Sequence, residues 1–166
     1  MSARKKDETS GASAASPLTR VELDFLPLTI GYFLRRLQDA YKRYFISQAA
    51  GFEMTPKDVA ALVIVSANKG ISPTQLGAAM AIDAAMTSLM LAALERRGLL
   101  KRSKSPSDGR ARVVSLTRAG TAMVAELREA VPAVDRHFTD ALSEAERVQL
   151  LGMLARLWAS RSGEVV

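Results

Sequence analysis

The 166-residue sequence contains no cysteine and only one histidine, His137. Without thiols the chain forms no disulfide bond, no thiolate metal site and no thiol redox sensor. His137 has no cysteine and no evident acidic partner, so a surface or packing position is favoured over a zinc ligand or a catalytic base. Paired carboxylates and a glycine-rich phosphate loop are also missing. These absences predict a protein that is not an enzyme and that holds no metal or cofactor.

Aromatic residues make up only 5% of the chain, while alanine and leucine are abundant, and this composition favours helices over sheets. The longest apolar run, Val59–Val65, is too short to cross a bilayer, so we expect no membrane partner. Residues 1–17 lack the apolar segment of a secretory signal. We therefore expect the protein to be cytoplasmic.

Positive charge is concentrated in one stretch of the chain. Eight basic and two acidic side chains lie between Glu95 and Arg118, an excess of six positive charges that equals the formal net charge of the whole protein. A module with its charge concentrated in this way is suited to a polyanion, of which nucleic acid is the commonest. The alternative, for the charge stretch alone, is a solvated surface.

Helical periodicity and capping signals predict six helices. The first extends from Pro27 to about Ala49, and Gly98 is expected to end the fourth in the left-handed conformation. The other helices are predicted to start where a side chain accepts hydrogen bonds from the free amides of a helix N-terminus. These starts are Thr55-Pro56, Ser72 with Gln75, Asp83, Thr117, and Ser143 with Glu146.

Beyond Gly98 the pattern becomes that of two strands. Residues 99–102 and 111–116 have strand character, and residues 103–109 between them are rich in Ser, Pro, Asp and Gly, which is typical of a turn. Two short helices followed by a basic hairpin describe a winged helix-turn-helix. We therefore predict a mainly α (α+β) fold with a two-stranded wing and an added helical dimerisation region.

Four regions are expected along the chain. Residues 1–26 form a flexible tail, residues 27–52 the first helix, residues 53–118 the winged helix-turn-helix, and residues 119–166 the C-terminal helices. The apolar stripes of the first helix and the last two are wider than one such domain needs to bury. An exposed apolar patch of that kind favours a homodimer.

At this point the sequence resembles a known family, the multiple-antibiotic-resistance regulator (MarR) family of bacterial transcription factors. The resemblance is carried by residues 31–36, 71–76 and 94–100, and above all by residues 107–120 (SDGRARVVSLTRAG), and it covers roughly residues 27–160. It implies a homodimeric regulator, most often a repressor, that binds a near-palindromic double-stranded DNA operator. It also implies release from that operator when a small aromatic or anionic effector binds.

In this arrangement the second helix of the pair enters the major groove, and the wing follows the flanking backbone or minor groove. The resemblance places Asp108 and Arg110 in the wing, where the aspartate would orient an arginine that reaches the minor groove. The residues predicted to contact DNA are Ser72, Thr74, Gln75, Ala85, Met86, Thr87, Ser88, Arg102, Lys104, Asp108, Arg110 and Arg112.

The predicted recognition helix departs from the family pattern because it is poor in arginine, with Leu89 where a basic residue is common. Bidentate readout of guanine is therefore disfavoured. Thymine-methyl contacts from Ala85 or Met86, hydroxyl contacts from Thr87 or Ser88, and shape readout by the wing are expected to matter more. The same feature supports an alternative function, a winged-helix protein-interaction module without sequence-specific DNA binding.

Tyr32 and Arg36 lie one turn apart on the first helix and are candidates for an effector site, where the arginine would pair with an anion. An aromatic carboxylate or an acyl-coenzyme A thioester would suit them. The alternative is that Tyr32 packs in a dimer interface while Arg36 faces water.

Overall fold

A computed structural model describes residues 21–104 and 112–162 of the chain. The contacts between residues divide it into two units, Met1–Leu37 and Gln38–Val166, whose boundary falls inside the first helix. The helices are α1 (Ile30–Gln48), α2 (Pro56–Ala67), α3 (Pro73–Ala79), α4 (Ala84–Arg96), α5 (Arg118–Phe138) and α6 (Glu144–Ser162). The strands are β1 (Leu100–Lys104) and β2 (Arg112–Leu116). The predicted fold of six helices and a two-stranded wing is confirmed.

In the first unit, none of residues 21–37 is buried. A short 3-10 turn at Leu26–Leu28 precedes α1, and the Thr29 hydroxyl donates a hydrogen bond of 2.8 Å to the Leu26 carbonyl oxygen. The first helix therefore begins at Ile30 rather than at Pro27 as predicted. Large apolar side chains of this unit are exposed, among them Leu28 at 87% and Phe33 at 50%.

In the second unit the predicted caps hold the helix starts. Thr55 with Asp58 and Ser72 with Gln75 form reciprocal capping boxes before α2 and α3. The Asp83 carboxylate accepts from the Met86 amide at 2.7 Å at the start of α4. At the start of α6, Ser143 and Glu146 each accept a hydrogen bond from the other's amide. At the start of α5, the Thr117 hydroxyl accepts from the Gly120 amide. Each cap satisfies amides that have no partner inside the helix.

The core of this unit lies between the winged helix-turn-helix and α5. Its largest fully buried side chains are Phe45, Leu62, Leu76, Leu91, Leu94, Val114 and Leu127. The wing joins this core through its backbone, because the Val114 amide donates a 2.8 Å hydrogen bond to the Ile71 carbonyl oxygen just before α3. Gly98, with φ of +68°, turns the chain from α4 into β1 as predicted.

The second half of α1 packs on the end of α5, which continues through Pro132 to Phe138. The Tyr41 hydroxyl donates a hydrogen bond of 2.6 Å to the Asp135 carboxylate, and the Tyr41 ring meets the Phe138 ring edge-on at 5.1 Å. Partial burial, followed by the Asp135 interaction, raises the pKa of Tyr41 above its usual range.

Within the described residues, no single helix is long and apolar enough to cross a membrane; α3 and α4 reach that length and hydropathy only together, and they are bent by 109°.

Candidate nucleic-acid interface

The two faces of α4 differ sharply. Thr87, Met90, Leu91 and Leu94 are buried against the core. The opposite face, at the N-terminal half of the helix, is exposed and consists of Ala84, Ala85, Met86, Ser88 and Leu89. The predicted contact residues Ala85, Met86 and Ser88 are therefore accessible, as recognition of DNA by this helix requires.

Thr87 is the exception among the predicted contacts, since it is only 3% exposed. Its hydroxyl donates a 2.8 Å hydrogen bond to the Asp83 carbonyl oxygen within its own helix. A Cβ atom on Gly77 would lie 2.6 Å from that hydroxyl oxygen, so α3 and α4 approach each other closely at this point. In this structure Thr87 packs the two helices together, so its side chain lies away from the exposed face of α4 on which the predicted DNA contact was placed.

The start of α3 brings the other predicted contacts close to α4. Ser72 and Gln75 hydrogen bond to each other's amides, and Gln75 is exposed although its side chain is committed to this capping box. Thr74 is exposed and lines, with Ser88 and Arg102, a hollow of about 350 Å³ between α3 and α4. One surface therefore collects residues from both helices and from the base of the wing.

The strand register sets the charges of the wing. Lys104 lies opposite Arg112, Arg102 opposite Val114, and Leu100 opposite Leu116. Side chains alternate along a strand, so these six share one face of the hairpin. The buried Leu100 and Val114 join this face to the core, and the basic residues extend it outward.

The positive charge of Arg102 is paired with a carboxylate inside the protein, which the sequence did not indicate. Its guanidinium and its backbone amide both donate to the Glu95 carboxylate, with distances of 2.9 Å from Nε and from the amide nitrogen. The side-chain hydrogen bond between them lowers the pKa of the Glu95 carboxyl group and raises the pKa of the Arg102 guanidinium. Sequence reasoning missed Glu95 as a partner because the seven-residue separation crosses from helix to strand.

Arg97 has a structural role as well. Its guanidinium donates to the carbonyl oxygens of Phe52 and Glu53 at 2.8 and 2.9 Å, which ties the end of α4 to the segment before α2. Five of the basic side chains in this stretch therefore fall into two groups. Arg97 and Arg102 have partners inside the protein, and Lys101, Lys104 and Arg112 are exposed on the wing. The predicted contacts Asp108 and Arg110 lie outside the described residues.

Tyr32 and Arg36 do come together on α1. Arg36 Nη1 lies 3.3 Å from the Tyr32 hydroxyl oxygen, and the guanidinium carbon lies 5.6 Å from the centre of the Tyr32 ring. Arg36 is exposed and Tyr32 is half-buried. In residues 21–104 and 112–162 no group of three or more acidic or histidine side chains could hold a metal ion.

Comparison with known proteins identifies the family. The MarR family model matches residues 54–111, which include α3, α4 and β1. A proposed transcriptional regulatory protein for the hcr operon of Thauera aromatica is 33% identical over 153 residues, or 92% of each chain.

Two solved structures are also similar. The transcriptional repressor CouR bound to a 23-mer DNA duplex is 32% identical with a TM-score of 0.77, over 83% of this chain and 98% of that one. Bordetella bronchiseptica BpsR, whose DNA binding is regulated by 6-hydroxynicotinic acid, is 26% identical with a TM-score of 0.71, over 78% of this chain and 92% of that one. The chain therefore belongs to the MarR family of transcriptional regulators, which bind DNA and are not enzymes.

Proposed function

We propose that this regulator is a repressor that binds a near-palindromic operator as a homodimer and leaves it when a small aromatic or anionic effector binds. The exposed half of α4 enters the major groove of each half-site. The wing follows the adjacent backbone, with Lys104 and Arg112 on phosphates. Thr74 approaches the DNA backbone from the start of α3, together with Ser72 and Gln75, which form the capping box of that helix.

The observation that best supports DNA binding by the wing is a pair of like charges on it. Lys104 and Arg112 are exposed and directly opposite each other, an arrangement that destabilises a hairpin unless an anion lies nearby. Among the described residues, no acidic side chain forms an ion pair with either of them. A phosphate backbone along this face neutralises both.

We expect Lys104→Gln and Arg112→Gln each to weaken operator binding. Removing one phosphate interaction should reduce the slope of log K against log salt by about one, and each substitution should therefore reduce it by about two for the dimer. Fluorescence polarisation with an operator selected from random duplexes, repeated at several salt concentrations, measures both quantities. Lys42→Gln removes the same charge from α1 and serves as the matched control.

An unchanged salt slope in both wing variants would exclude the wing from the interface. Failure to enrich any sequence from the random duplexes would instead favour the protein-interaction module, for which the uncharged exposed face of α4 is the supporting feature.

The effector proposal rests on the Tyr32–Arg36 pair. A guanidinium near an aromatic ring offers an anionic aromatic compound both an ion pair and a stacking surface. The regulation of BpsR by 6-hydroxynicotinic acid supports an aromatic acid, and a thioester with its phosphates on basic side chains is the second candidate.

We expect the effector to lower operator affinity about tenfold, a typical coupling between two sites. Arg36→Ala should suppress most of this effect while leaving operator binding without effector nearly unchanged, because Arg36 is exposed and belongs to α1 rather than to the winged helix. Polarisation titrations with a panel of aromatic acids and their thioesters test this. Arg156→Ala, on α6, is the control. A normal response of Arg36→Ala to an active compound would exclude Arg36 from the site.

A further inference from the structure

The exposed face of α4 has a chemistry that limits which bases it can read. No charged residue occurs between Asp83, which caps the helix, and Glu95, near its end. Thr87 is buried, so Ser88 offers the one exposed hydroxyl in the N-terminal half of this helix. The rest of the exposed surface there is apolar, with Leu89 at 67% and Met86 at 43% exposure.

These apolar side chains form one surface. Positions 85 and 89 are four residues apart and positions 86 and 89 are three apart, so Ala85, Met86 and Leu89 lie together on the helix. A leucine that is two-thirds exposed at the centre of a helix gains little from folding. Its burial is available only in a complex.

In the major groove, guanine is recognised by bidentate arginine or lysine and adenine by asparagine or glutamine. The exposed half of α4 has none of these four residue types. The apolar group that the major groove presents is the C5 methyl of thymine. We propose that each operator half-site presents thymine methyl groups to Ala85, Met86 and Leu89, and that Leu89 determines specificity for thymine.

This inference rests on the proposed function, and the surroundings of the patch favour DNA as its occupant. Ala85, Met86 and Leu89 do not line the hollow between α3 and α4, but Ser88, next to Leu89 in the chain, lines it together with Arg102, which places the base of the wing at one side of the patch. Arg102, Lys104 and Arg112 share the wing face that continues from there. An apolar patch with a cationic wing at one side matches a base edge that lies beside the phosphate backbone. If a second copy of the chain covered the patch instead, the cations of the two copies would approach and repel each other.

The test is an operator selected from random duplexes, in which thymine is then replaced by deoxyuridine. This change removes one methyl group and leaves every hydrogen-bonding group in place. We expect affinity to fall about fourfold for each buried methyl removed, and roughly fifteenfold when one thymine is replaced in both half-sites.

The Leu89→Ala variant tests whether the Leu89 side chain is the group that contacts the thymine methyl. It should weaken binding to the thymine operator and remove the deoxyuridine penalty at the thymine that Leu89 contacts, because the partner of that methyl group is gone. Lys104→Gln is the control, since it should weaken both operators equally and preserve their ratio.

Deoxyuridine without effect throughout the selected operator would overturn the inference, as would a Leu89→Ala protein that keeps the full penalty. Both results leave sequence-specific DNA binding intact. If no operator is enriched, the proposed function itself fails.

Discussion

Replacing Gly120 with alanine is expected to destabilise the fold severely. A Cβ atom at this position would lie 2.0 Å from the Leu99 carbonyl oxygen and 3.3 Å from Leu116 Cδ2. The carbonyl has little freedom to move, because it accepts a hydrogen bond from the Thr117 amide at 3.0 Å, and the Thr117 hydroxyl holds the adjacent Gly98 carbonyl at 2.6 Å. Overpacking against side chains alone costs about 1–3 kcal/mol, and here the obstacle is backbone.

Gly152→Ala is the matched control, since no heavy atom lies within 4 Å of the Cβ it would add. There the same substitution should raise the free energy of unfolding by about 0.5–1 kcal/mol, through the helix propensity of alanine. Urea unfolding followed by circular dichroism, at one fixed protein concentration, compares the two variants with the parent. A Gly120→Ala protein with the parent's urea midpoint would show that the wing and α5 can separate freely at this point.

The helix starts could be predicted because their causes are local. In Thr55–Asp58, Ser72–Gln75 and Ser143–Glu146 the two partners are three residues apart, and their reciprocal hydrogen bonds depend on no other part of the chain. The two strands and the turn at Gly98 follow from similarly short patterns. The order of the elements then indicated the fold.

The burial of Thr87 could not be predicted in the same way. A threonine near the start of a recognition helix has the right chemistry for DNA, and its burial depends on the approach of α3 at Gly77, ten positions earlier in the chain. Gly77 itself was a usable signal, because a glycine inside a short helix is unfavourable unless another backbone or side chain comes close. The residue type indicated tight packing, but not which neighbour causes it.

The charges of the basic stretch were counted correctly, but their distribution was not predictable. Arg97 meets the carbonyl oxygens of Phe52 and Glu53 more than forty residues away, and Glu95 meets Arg102 across a change from helix to strand. No spacing rule connects such pairs, which are set by how the elements pack. The charge available to DNA on the described part of the wing is therefore smaller than the sequence total.

Leu151→Lys is expected to abolish dimerisation and most of the DNA binding. No described side chain of α6 is buried, and its large apolar residues are between 36% and 62% exposed. They are Val148, Leu150, Leu151, Met153, Leu154, Leu157 and Trp158. Leu151, at 62%, is the most exposed of them, and covering such a surface with a second copy of the chain stabilises by the apolar area removed from water. A lysine there would have to be desolvated in the dimer.

The effect on DNA follows from the symmetry of the complex. A dimer holds two winged-helix domains, so the second domain binds its half-site at high effective concentration. This strengthens binding by about 100-fold or more over one domain alone. Leu151→Lys should therefore lower operator affinity by a similar factor although α6 carries no DNA contact in this proposal. Gln149→Lys adds the same charge on the polar face of α6 and should preserve both properties. Sedimentation and polarisation on the same samples check the two together. A parent protein with a mass near 17.9 kDa at every concentration, or a Leu151→Lys protein that stays dimeric, would contradict an interface built on α6.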